Sequence, residues 1–254
     1  MRFGICATAD QLEQVKQLGY DYGELPLSTT AALSDAEFAA LVTQTKQIGL
    51  PIEAFNLFFP RHIRLTGPNA DLTAAWAYAR AALARAEALG GRVVVFGSGG
   101  ARNVPDGFPL EQAWAQLVEL LDGLEPIAAD HGITIAIEPL NRLESNIILS
   151  VADGLRLAKQ VNKPHIQVLA DSYHMLRESE DAAILKKAGR RLVHCHTARG
   201  LERVYPTEPD EHLRSFFAGL KRAGYHGRVS VEGKTEHLQA DGRAALVVLR
   251  ALAE

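Results

Sequence analysis

The chain has 254 residues, a formal charge of −3 and 47% hydrophobic side chains, which suits one large α/β barrel with a core to match. The slightly acidic balance excludes the basic stripe of a nucleic-acid binder, and no apolar run approaches the roughly 20 residues that would span a bilayer. With only Cys6 and Cys195 there is no disulfide framework. The opening MRFGICATAD lacks the basic, apolar, small-residue order of an export signal, so the expected location is the cytoplasm, with neither membrane nor nucleic acid as partner.

Short, apolar, β-branched runs predict eight strands, and a helical pattern follows each. In chain order, strand Arg2–Ala7 is followed by helix Ala9–Leu18, Tyr22–Leu27 by Asp35–Ile48, Pro51–Phe58 by Asp71–Leu89, and Arg92–Gly97 by Leu110–His131. Then come Ile133–Pro139 with Val151–Val161, Ile166–Asp171 with Asp181–Ala188, Leu192–Thr197 with Glu208–Ala223, and Arg228–Glu232 with Leu238–Leu252. Ser34 and Ser150 supply N-cap oxygens, and a glycine such as Gly19, Gly49 or Gly224 closes most helices. Strand–helix pairs with no leftover segment predict a single (β/α)₈ TIM barrel over residues 1–254. A doubly wound open sheet would carry a glycine-rich turn after its first strand, where this chain has Ala7-Thr8-Ala9-Asp10.

In such a barrel the active site lies at the carboxyl ends of the strands. The last four strands each end an apolar run on an ionisable group: Glu138, Asp171, His196 and Glu232. A lone carboxylate at a strand end is usually a helix cap or an ion-pair partner. Three of them around one barrel mouth would repel and raise one another's pKa unless a cation neutralised them. Three carboxylates with one imidazole suit one divalent metal ion, Mn²⁺ first and Mg²⁺ or Co²⁺ otherwise. Strand seven offers two histidines on one face; His196 lies nearer the carboxyl end and is the expected ligand, with His194 one layer deeper. Cys195 faces the helices.

These motifs resemble those of the xylose-isomerase-like TIM barrel superfamily, and within it the sugar 3-epimerases that act on free ketoses. Glu138-Pro139-Leu140-Asn141-Arg142-Leu143-Glu144 is similar to the family's E-x-x-N-R-x-E, Asp171-Ser172-Tyr173-His174 to its D-x-x-H, and His194-Cys195-His196 to its H-x-H. Arg203-Val204-Tyr205-Pro206 resembles an R-x-x-P, and Glu232 matches the final metal ligand. The resemblance implies Glu138, Asp171, His196 and Glu232 as metal ligands, Glu138 and Glu232 as the catalytic acid/base pair, and Glu144, His174 and Arg203 as substrate-binding residues. The arginine loop departs from the pattern: Pro206 is followed by Thr207-Glu208 instead of glycines, and Arg199 is a second candidate.

The implied activity is isomerisation or epimerisation of a ketose or related keto-sugar, by proton abstraction next to a carbonyl through a metal-stabilised enediolate. The same site could serve a lyase of the inosose-dehydratase type. More remotely, abasic-site endonucleases share the barrel but use three metals. The partner is a small sugar or keto-polyol, and a homo-oligomer is compatible. Four further features have two readings each. Phe96-Gly97-Ser98-Gly99-Gly100 is an anion cradle or a tight loop that leaves room for substrate. Phe55–His62 is an apolar lid with a basic tip, or core packing plus an exposed loop. Glu24 reaches substrate or is structural, and Arg142 orients Glu138 or shapes the entrance, or else forms an external salt bridge.

Overall fold

A computed structural model describes residues 1–254. The strands are β1 (Arg2–Cys6), β2 (Tyr22–Pro26), β3 (Ile52–Asn56), β4 (Val93–Phe96), β5 (Thr134–Ile137), β6 (Ile166–Asp171), β7 (Leu192–Thr197) and β8 (Arg228–Val231). All pair in parallel with their neighbours, and β8 pairs with β1, so the sheet closes into a barrel. The helices are α1 (Leu12–Leu18), α2 (Leu27–Ala32), α3 (Asp35–Ile48), α4 (Leu72–Ala88), α5 (Gly99–Arg102), α6 (Leu110–Asp130), α7 (Val151–Val161), α8 (Ser172–Arg177), α9 (Ile184–Ala188), α10 (Glu211–Arg222) and α11 (Leu238–Ala253). The (β/α)₈ expectation is met.

Strand alternation divides the core in two. Ile135 and Ile137 of β5, Val168 and Ala170 of β6, and Val229 and Val231 of β8 lie in the large cluster between barrel and helices. Cys195 joins them there, as its place on β7 requires. The intervening residues point inward, where Tyr22, Ala54, Val93, Val95, Ala136 and Leu169 fill the barrel. Burial on both faces explains why these strands read as nearly unbroken apolar runs.

Local chemistry sets the boundaries. Ser34 Oγ accepts from Glu37 N while the Glu37 carboxylate accepts from Ser34 N, a capping box that starts α3. Gly19 and Gly49 end α1 and α3 at φ of 86° and 66°, where an L side chain would be strained. Strand β3 stops at Asn56, short of the expected Phe58, because Leu57 turns to φ 49°. Helix α10 starts at Glu211 and not Glu208, since the Asp210 carboxylate accepts from Leu213 N and is the true cap. The expected helix from Asp181 begins at Ile184. Three short helices, α2, α5 and α8, have no counterpart in the sequence reading; α2 and α8 follow directly from a strand's carboxyl end, and α5 starts after Gly97 and Ser98. No helix is long and apolar enough to cross a membrane.

Candidate metal centre and substrate pocket

At the carboxyl ends of β5 to β8 the inward positions fall to Glu138, Asp171, His196 and Glu232. Their ligand atoms all lie within 4.8 Å of one another. His196 Nδ1 is 3.1 Å from Glu138 Oε1 and 3.0 Å from Glu232 Oε2. Arg203 reaches in from the loop after β7 and donates to Asp171 Oδ2 at 3.0 Å and Glu232 Oε2 at 2.5 Å. Its guanidinium also lies 4.6 Å from the centre of the Tyr173 ring.

The electrostatics of this cluster call for positive charge. Burial alone would raise Glu232, yet His196 and Arg203 outweigh it and hold the carboxyl well below its usual range. Burial alone would lower His196, yet Glu24 and Glu232 hold the imidazole well above its usual range. Burial opposes the Arg203 charge too, but Glu232 and Asp171 push that group above its ordinary value. The carboxylates around them thus favour positive charge on both His196 and Arg203. Their oxygens and one imidazole nitrogen form a donor set that fits an oxygen-preferring divalent ion. Glu138, Asp171, His196 and Glu232 are the residues that could hold it.

Asp171 combines the ordinary and the functional reading of a strand-end carboxylate. Oδ1 accepts from Tyr173 N at 2.9 Å and caps α8, while Oδ2 faces the cluster. The cap starts a helix that brings His174 round to the same mouth. There His174 Nδ1 accepts from the backbone N of Asn141 at 3.1 Å and from its side-chain amide at 2.8 Å. The ring hydrogen therefore sits on Nε2, which is buried and has no hydrogen-bond partner. The same Asn141 amide donates to Glu144 Oε1 at 3.0 Å.

Above the cluster opens a cavity of about 690 Å³, walled by Glu138, Glu144, His174, Arg203 and Glu232, with Phe59, Leu140 and Leu143 among its apolar residues. A second cavity, about 660 Å³, lies at the opposite end of the barrel, and no carboxylate lines it. All seven site residues expected from the sequence thus meet at one place.

The open readings resolve individually. Arg199 turns away to pair with Glu208, so Arg203 is the arginine at the cluster. Arg142 is exposed and clasps Glu178 at 2.7 Å; it is an external salt bridge and does not orient Glu138. Phe58 and Phe59 stack with Tyr78 and Phe96 in the core, while Leu57, Phe59, Pro60 and Arg61 also line the cavity, so this segment combines core packing with one wall of the pocket. The glycines after β4 serve close approach. A Cβ on Gly97 would lie 2.2 Å from Glu138 Oε2, and one on Gly99 would lie 2.6 Å from the Glu144 carbonyl. Glu24 is fully buried below the cluster, against His194 and His196.

Three supporting residues escaped the sequence reading. Asn56 ends β3 and donates to Glu232 Oε1 at 2.9 Å. Its position as a polar residue closing an apolar strand is the signal that could have found it. Arg102 is fully buried and donates to the carbonyls of Phe96 and Glu138, both at 2.8 Å, which ties the ends of β4 and β5 together. Burial pushes its guanidinium down to about 10, with Glu138 pulling the other way. Nothing in its local sequence marks it. Asn141 lies inside the quoted motif, but its task became visible only with His174 beside it.

The chain is similar to proteins named as sugar epimerases. The D-psicose 3-epimerase of Agrobacterium fabrum (strain C58) is 28% identical over 228 residues, 87% of this chain and 77% of that one. The L-ribulose 3-epimerase of Methylomonas sp. (strain DH-1) is 35% identical over 119 residues, 46% of this chain and 41% of that protein. Among solved structures, the D-psicose 3-epimerase with D-tagatose from Clostridium cellulolyticum H10 shares the fold with a TM-score of 0.89, at 21% identity over 100% of both chains. The D-allulose 3-epimerase from Methylomonas sp. in complex with D-allulose gives a TM-score of 0.82 at 25% identity, over 98% of this chain and 90% of that one. The family model described as xylose isomerase-like TIM barrel matches residues 12–252, and the chain belongs to that family.

Proposed function

We propose that this protein is a sugar epimerase or isomerase that moves a proton on the carbon beside a ketose carbonyl, with one divalent cation, Mn²⁺ first, held by Glu138, Asp171, His196 and Glu232. The observation that carries this reading is the pair Glu138 and Glu232. They arrive from strands three apart and converge on one nitrogen of His196 at the floor of a substrate-sized cavity. The 3-epimerase names of the relatives support it.

A bound divalent ion would supply Lewis-acid stabilisation of the negative charge that develops on a carbonyl oxygen during proton removal. The chain's own residues do the rest. One of Glu138 and Glu232 takes the proton and the other returns it, so that return to the opposite face gives the epimer. Arg203 holds the carboxylates of Asp171 and Glu232 in place. His174 Nε2–H, the unpartnered buried donor, is positioned for a substrate hydroxyl, and Glu144 offers an acceptor beside it. Phe59 and Leu140 exclude water from one wall.

The test is an NMR screen in D₂O of Mn²⁺-treated, then Mg²⁺-exchanged, protein against ketoses, keto-inositols and their phosphates. The expected result is deuterium at the carbon beside the carbonyl together with a new epimer or isomer. A dehydrated product would move the assignment to a lyase on the same site. No exchange with any substrate would overturn proton transfer altogether.

A further inference from the structure

Beneath the four-residue cluster lies a second layer of polar groups in the barrel interior. Glu24 of β2, His194 of β7 and Ser230 of β8 are all fully buried there. Glu24 Oε1 is 2.9 Å from His196 Nε2, and Oε2 is 2.8 Å from His194 Nε2. Ser230 Oγ donates to Oε2 at 2.6 Å and lies 2.8 Å from the Tyr22 hydroxyl. A carboxylate only accepts hydrogen bonds, so each of these neighbours must be the donor. Nε2 of His196 therefore carries a hydrogen. Nδ1 faces Glu138 and Glu232, so in the metal-free chain it donates to them by the same rule, and it is this hydrogen, not the one held by Glu24, that a bound cation would replace.

The same accounting decides between two groupings. Cys6, Glu24 and His196 also offer ligand atoms within 4.8 Å of one another. To use them, a cation would have to displace the His196 hydrogen and break into a carboxylate whose oxygens already accept three bonds. Cys6 Sγ stands 3.9 Å from His196 Nε2, on the side that carries that hydrogen.

We propose that Glu24 is the positioning residue of the metal centre: it pins the His196 ring with Nε2–H inward, presents Nδ1 to the cation, and keeps the Cys6 side closed to metal. This role presupposes that Glu138, Asp171, His196 and Glu232 hold a divalent ion. A carboxylate behind a metal-binding histidine fixes its tautomer and orientation, and losing it costs about 10- to 100-fold in metal affinity.

The experiment is a Mn²⁺ titration of the purified full chain, with free Mn²⁺ read by electron paramagnetic resonance, on the wild type, Glu24→Gln and Cys6→Ser. Circular dichroism confirms that each variant is folded. Glu24→Gln is expected to weaken Mn²⁺ binding by about 10- to 100-fold, with Cys6→Ser binding as the wild type does. A folded Glu24→Gln that binds like the wild type overturns the role, and so does a Cys6→Ser that weakens equally. A wild type that binds no Mn²⁺ removes the metal reading itself, and this role with it. A second measurement needs no variant: long-range ¹H–¹⁵N correlation of the histidine rings in Mg²⁺-loaded wild type. A hydrogen on Nε2 of His196 supports the role, and a hydrogen on Nδ1 overturns it.

Discussion

Gly97→Ala should separate the fold from the site. Gly97 follows β4, and an added Cβ would sit 2.2 Å from Glu138 Oε2 and 3.3 Å from its Cδ. Its backbone is not in the positive-φ region, so alanine fits the chain there and gains about 0.4–1 kcal/mol by restricting the unfolded state. Non-bonded heavy atoms prefer roughly 3.5 Å, so the carboxylate oxygen must retreat by about 1.3 Å. The end of a glutamate side chain can do so cheaply. The overpacking cost should stay at the low end of about 1–3 kcal/mol, or roughly 2–4 °C of Tm per kcal/mol for a chain of this size. Chemistry is less forgiving. Ligand distances in metal sites tolerate about 0.2 Å, and a 1 Å misplacement of a catalytic group can cost on the order of 100-fold. The expected outcome is a Tm within a few degrees of wild type and kcat/KM lower by about 100-fold, measured by NMR on whichever ketose the screen identifies. A Gly97→Ala enzyme within about threefold of wild type would refute the reasoning, because Glu138 would then tolerate displacement.

Other outcomes follow from the same geometry. Glu138→Gln and Glu232→Gln keep the side-chain shape but remove proton transfer, so each should lower kcat by at least about 100-fold while circular dichroism stays native. Either variant turning over at the wild-type rate would remove it from the acid/base pair. Arg203→Ala leaves Asp171 and Glu232 without their guanidinium, so metal-free protein should lose about 3–5 kcal/mol. Saturating Mn²⁺ should restore part of that loss, because the ion supplies the missing charge; melts with and without Mn²⁺ check this, and an equal Tm loss in both would contradict it. Ser34→Ala breaks the capping box of α3, far from the pocket. It should cost about 1 kcal/mol in a denaturant titration with activity unchanged, and no loss of stability would show that the cap contributes nothing.

What the sequence determined by itself was local. Alternation within Ile135-Ala136-Ile137-Glu138 or Val193-His194-Cys195-His196 assigns each side chain to a face, and strand ends follow from it, because both depend on neighbouring residues only. The barrel, the four candidate ligands and the helix caps at Ser34 and Ser150 were legible for that reason. Tertiary structure alone decided which residues share a layer. Glu24 meets His194 and His196 across 170 and 172 positions of sequence, and the closed register of β8 on β1 and of β1 on β2 brings Ser230 to its side. Arg203 rather than Arg199 reaches the cluster because the chain turns back on itself, with a bridge from Arg199 to Val204 and Arg203 at φ 57°. Arg102 and Asn56 support Glu138 and Glu232 from other strands' loops and ends. Strand periodicity is a property of the segment, whereas these pairings are set by how eight segments close upon one another, so no local pattern could announce them.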